Sequence, residues 1–115
     1  MGVRLNSFLE KISGVNLTPG IDISGITIEG GYVSDLLSDV MGSAQPHQVW
    51  ITIMKHLNVI AVASMTGIPC IVFAKDSKPD DAVIKKAIEE GICLVSSEKS
   101  VFEISGILYL QLHQI

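Results

Sequence analysis

The apolar positions change period along the chain, and the changes mark its elements. Leu5, Phe8, Leu9 and Ile12 fall at i, i+3, i+4 and i+7, which predicts a short N-terminal helix that Gly14 stops. Val15–Leu17 reads as a short strand, and Thr18-Pro19-Gly20 as a turn. From Ile21 to Val33, Ile21, Ile23, Ile26 and Ile28 alternate with polar residues. This predicts β-structure bent at Gly25, with Gly30-Gly31 as a bulge or a close backbone approach. Ser34–Ala44 carries an apolar face of Leu36, Leu37, Val40 and Met41. A short helix is expected there, capped by Ser34 or Asp35 and stopped by Gly42, with Pro46 closing the loop.

Beyond residue 48 the period alternates regularly. Val49–Met54, Cys70–Ala74 and Ile92–Val95 are near-continuous apolar runs of strand length. Leu57–Met65 is apolar almost all round, so a helix there is expected to be buried on more than one side. Asp80–Glu90 is amphipathic: Val83, Ile84, Ala87 and Ile88 lie inward, Lys85, Lys86, Glu89 and Glu90 outward. Acidic residues open it, as suits a helix dipole, and Gly91 ends it. Ser96–Ser100 is a loop and cap before a last helix, Val101–Leu112. Strands buried on both faces and separated by helices predict a single α/β domain over residues 1–115. Its sheet should be mostly parallel with right-handed crossovers, and its N-terminal third a β-rich elaboration.

Composition narrows the function classes. Among 115 residues, 48% are hydrophobic and 17% charged, too apolar for a disordered chain. No apolar run approaches the roughly 20 residues of a spanning helix, and no leader-like segment opens the chain. The net charge of −4 disfavours a phosphate-backbone binder, so neither membrane nor nucleic acid is an expected partner. Cys70 and Cys93 sit in apolar runs, as small buried hydrophobes do. Reduced cysteines and a cytoplasmic location are expected. The apolar surplus of so small a chain implies a partner surface, with a second copy as its first candidate. Leu57–Met65 and Leu36–Met41 carry more apolar residues than one face needs.

Catalytic and cofactor chemistry leaves little trace. There is no G-x-x-x-x-G-K-[ST], G-x-G-x-x-G or G-x-S-x-G. His47, His56 and His113 have no metal-type spacing, so neither metal nor cofactor is expected. Asp35 and Asp39 lie at i, i+4, where two solvated acids are the ordinary outcome. The best binding candidate rests on the rule that parallel strands present ligands at their carboxyl ends. Lys55, His56 and Asn58 follow the Val49–Met54 strand, beside the polar Thr52. With Gly30, Gly31, Ser34 and Asp35 they form the candidate ligand set, for an anion held by charge and by backbone N–H groups.

One resemblance adds to this reading. Tyr32–Gly42, the Trp50–Met54 run leading into Leu57-Asn58-Val59, Lys78-Pro79-Asp80 and Ile92–Phe102 occur in the order and spacing of a DRTGG domain. The stretch Gly30–Gly106 most resembles the small stand-alone bacterial members. DRTGG domains occur fused to CBS-domain pairs in regulated pyrophosphatases, and to phosphotransacetylases. Their fold is similar to the N-terminal domains of HPr kinase/phosphorylase and of Mur ligases, the latter UDP-binding. The resemblance implies an α/β domain without catalytic residues that tends to dimerise. Lys55-His56 stands where the name-giving Asp-Arg would fall, and Thr66-Gly67 comes later, after the next helix. Two functions follow as expectations. The first is a non-enzymatic regulatory or protein-association module. The alternative is a sensor of a nucleotide or another phosphorylated metabolite.

Overall fold

The computed structural model describes residues 2–114. A five-stranded sheet organises them, with strand order β2-β7-β6-β5-β4. Its members are β2 (Val15–Asn16), β4 (Gly30–Val33), β5 (Gln48–Thr52), β6 (Cys70–Phe73) and β7 (Cys93–Ser96). The last four are mutually parallel, and β2 runs antiparallel to β7. A small antiparallel pair, β1 (Val3–Arg4) with β3 (Thr27–Ile28), is the N-terminal elaboration. The α/β class and the mostly parallel sheet are as expected.

Five helices cover the sheet. Crossover helices α2 (Leu37–Ser43), α3 (Asn58–Thr66) and α4 (Asp81–Glu90) share one face. There Val40, Ile60, Ala63, Val83 and Ala87 bury Trp50, Ile71, Phe73 and Leu94. Helices α1 (Leu5–Lys11) and α5 (Val101–His113) cover the other face. There Leu5, Phe8, Ile104 and Leu108 bury Val49, Ile51, Val72 and Val95. Strict alternation along β5, β6 and β7 sorts these side chains between two cores. Local chemistry sets the helix ends. The Asp80 carboxylate accepts from the Val83 N–H at 3.2 Å. Ser100 and Glu103 form a reciprocal capping box. Gly67 and Gly91, at φ 79° and 74°, end α3 and α4 in the left-handed conformation.

The structure corrects several local expectations. Ile21–Ile26 is not strand. Ile23 is buried and Ile21 and Ile26 are half-buried, so the alternation records a loop plugging the α1/α5 core. Gly30 and Gly31 form no bulge; they pair in register with Gln48 and Val49. A close approach does occur at Gly31, where a Cβ would lie 2.7 Å from Leu108 Cδ2. Gly42 lies inside α2 rather than ending it. Helix α3 is flanked by α2 and α4, but Leu57, Ala61 and Met65 face outward. Cys70 and Cys93 are buried, unbridged neighbours on β6 and β7. The neighbouring Cys93 thiol and desolvation both push the Cys70 thiol well above its ordinary range. No helix among the described residues is long and apolar enough to cross a membrane.

Gly31 therefore sets how closely α5 can lie on the β4 edge. Gly31→Val should destabilise by about 1–3 kcal/mol through overpacking against Leu108. Urea denaturation checks this, with Gly42→Ala, where nothing lies within 4 Å of an added Cβ, as the tolerated control.

Candidate functional site

The carboxyl edge of the sheet is built from the loops after β4, β5, β6 and β7. Asp35 ties the first two together. Its Oδ1 accepts from Thr52 Oγ1 at 2.6 Å and from the Ile53 N–H at 3.0 Å. Thr52 Oγ1 in turn accepts from the Met54 N–H at 3.1 Å. The buried Trp50 donates its indole N–H to the Ser34 carbonyl at 2.9 Å. A second link lies one turn along, where the Tyr32 phenol donates to Asp39 Oδ1 at 2.9 Å. That hydrogen bond to the Asp39 carboxylate raises the Tyr32 pKa, since ionisation would remove the proton that makes it.

The two acids are thus engaged rather than merely solvated. Asp35 does not cap α2: the position before that helix is Leu36, which offers no side-chain acceptor. Ser34 instead accepts from the Leu36 N–H at 3.1 Å, a local turn bond. Likewise Asn58 does not cap α3; it is the first helical residue, preceded by Leu57 in helical conformation.

The seven candidate residues divide into two places. Ser34, Asp35, Lys55, His56 and Asn58 lie at or beyond the carboxyl ends of β4 and β5. Gly30 and Gly31 open β4, at the opposite end of the same strand. The structure does not bring the two glycines to the Lys55–Asn58 loop, because β4 runs in register beside β5 from Gly30↔Gln48 onward. Lys55 and His56 are exposed and form no ion pair among the described residues. They line an open depression of about 420 Å³ with Leu57, Asp80, Ala82 and Val83. Its other wall is the first turn of α4. The Lys55 ammonium and the helix N-terminus favour an anion there, while Asp80 opposes it. The α4 side of this depression carries no local mark of the site in the sequence. The Lys78-Pro79-Asp80 run announces a helix start, but nothing local states which loop it faces.

No family model matches the chain, and no curated protein matches its sequence. A solved structure does match its fold. It holds the CBS and DRTGG domains of the regulatory region of Clostridium perfringens pyrophosphatase, complexed with the activator diadenosine tetraphosphate. The likeness covers 90% of this chain and 45% of that one, at TM-score 0.69 and 11% identity. The fold is DRTGG-like. This agrees with the resemblance drawn from Gly30–Gly106, and the DRTGG-like chain spans less than half of its structural neighbour.

Asp35 holds the loops of this edge in place. Asp35→Ala should destabilise by about 1–3 kcal/mol, because it strands the buried Thr52 hydroxyl and frees the Ile53 N–H. Asp35→Asn, which keeps an acceptor, should cost less. Comparing the two denaturation midpoints with wild type tests the assignment; equal midpoints in all three would refute it.

Proposed function

We propose that this chain is a non-enzymatic regulatory module that binds a small phosphorylated ligand, a nucleotide in the first instance. The observation that carries the reading is the DRTGG-like fold, shared over 90% of the chain with a regulatory region solved with a nucleotide activator. The Lys55–His56 edge supports it locally. Two basic side chains stand exposed beside the first turn of α4, over a depression large enough for a phosphorylated group. Asp35 and Thr52 fix the loop that carries them. Binding would act by population: a ligand preferring one arrangement of these loops shifts the module toward it.

Thermal denaturation with ATP and with diadenosine tetraphosphate tests the reading. One of these probes should raise the midpoint saturably. Lys55→Ala/His56→Ala should weaken that binding by about tenfold, roughly 1.4 kcal/mol. A flat response to both probes, or an affinity unchanged in the double variant, removes this site from the reading.

Exposed apolar side chains favour a second element of the same function, association with another copy. Leu36, Leu57 and Met65 are 62%, 51% and 72% exposed. Leaving such side chains in water forgoes the free energy of burying them, which contact with a second copy would recover. Light scattering at high micromolar concentration should give the mass of a dimer, and Leu36→Glu/Leu57→Glu should return it to the monomer. A monomeric mass for the unmodified chain refutes this element alone.

A further inference from the structure

Two neighbouring parallel strands send their following helices to opposite faces. β6 leads to α4 on one face, and β7 leads to α5 on the other. In open α/β sheets such a divergence opens a crevice at the strand ends. Here the crevice is a depression of about 210 Å³ lined by Ser13, Val15, Asp76, Lys78, Ser96 and Glu98, with Ser97 beneath.

Ser96 is the feature that needs a partner. It is 1% exposed, and its hydroxyl has none. A buried hydroxyl left unpaired is costly and seldom kept without use. Alternation along β7 directs Leu94 toward the α3/α4 core, so Ser96 points to the same face. Its register partner across the sheet, Val15, is 54% exposed, so the helical cover ends above them. The neighbouring Ser97 hydroxyl is already committed, donating to the Ile12 carbonyl at 2.7 Å.

The walls are held in shape. Lys75 and Asp76 adopt φ of 57° and 56°, and Ser13 a φ of 53°, unusual for residues other than glycine. The Lys75 N–H donates to the Lys99 carbonyl at 2.9 Å, and the Asp76 N–H to that of Ser97 at 2.8 Å. These bonds lock the β6–α4 loop to the β7–α5 loop, so the crevice exists before anything enters it.

Its charges select the occupant. Asp76 and Glu98 supply two carboxylates, and the Lys78 ammonium lies 3.9 Å from Asp76 Oδ1. A phosphate would meet two like charges. A metal ion would meet the lysine, and no group of three acidic, histidine or cysteine ligands occurs among the described residues. A molecule carrying both an ammonium and a carboxylate suits all of them. Its ammonium would face Asp76 and Glu98, and its carboxylate would take Lys78 and the Ser96 hydroxyl. We propose that the β6/β7 crevice binds a small zwitterion of the amino-acid class, separately from any phosphorylated ligand at Lys55 and His56.

Titration calorimetry with each of the common amino acids, up to roughly 10 mM, tests this on the intact chain. At least one should bind saturably. Ser96→Ala loses no hydrogen bond and should stay folded by circular dichroism, yet weaken that binding by about tenfold. Asp76→Asn removes the charge with a residue that tolerates the left-handed conformation, and should weaken it similarly. Lys55→Ala/His56→Ala should leave it unchanged. The proposal is overturned if no amino acid binds, or if the bound one keeps its affinity in both Ser96→Ala and Asp76→Asn.

Discussion

Burial of β5, β6 and β7 on both faces constrains the rest of the molecule. Every residue from Val49 to Thr52, from Cys70 to Phe73 and from Cys93 to Ser96 is buried. A sheet of this kind must be covered twice, because neither face offers polar side chains to water. The crossovers α2, α3 and α4 cover one face as the chain steps from β4 to β7. The other face is left to helices from the two extremes of the described chain, α1 and α5. The loops of the carboxyl edge take their positions from this arrangement, as does the divergence between β6 and β7.

Much of the frame was legible in the sequence because its determinants are local. Continuous apolar runs located β6 and β7, and amphipathic periodicity with Asp80 and Gly91 located α4. Several of the departures involve partners distant along the chain. Ile21, Ile23 and Ile26 alternate as a strand does, yet fold as a loop whose isoleucines close a core made elsewhere. Asp35 has the sequence position of a cap, yet bonds Thr52, seventeen residues on. Gly31 does mark a close approach, but its neighbour is Leu108 on the last helix. At the candidate site, strand-end logic found Lys55 and His56, whereas the strand direction that removes Gly30 and Gly31 from them emerges only from register. Ser96 left its trace in plain view, a polar residue closing an apolar strand. Its lack of a partner is a property of three-dimensional packing alone.

The two proposed sites divide the edge by chemistry. Around Lys55 and His56 the basic side chains stand exposed, and Asp80 is the acid among the residues lining the depression. At the β6/β7 crevice both signs are present, and backbone bonds between two loops define the shape. The β6–α4 loop and the α4 start it leads into serve both, through Asp76 and Lys78 at one place and Asp80 at the other. A ligand that stiffened this stretch at one site would thereby change the ordering cost at the other, which is the physical requirement for coupling between them.

The strand order also bears on how the chain reaches its native state. Each parallel strand pairs with the next one in sequence, so β4 through β7 can assemble by successive short loop closures. The β2–β7 pair is different, since it joins Val15 to Ser96. That closure becomes inexpensive only once the intervening strands have drawn its ends together. A chain with its parallel sheet formed and α1 not yet docked would leave the Val72–Val95 face only partly covered. In such an arrangement the bare apolar face of the sheet, not its paired strands, would be the surface open to association with other chains.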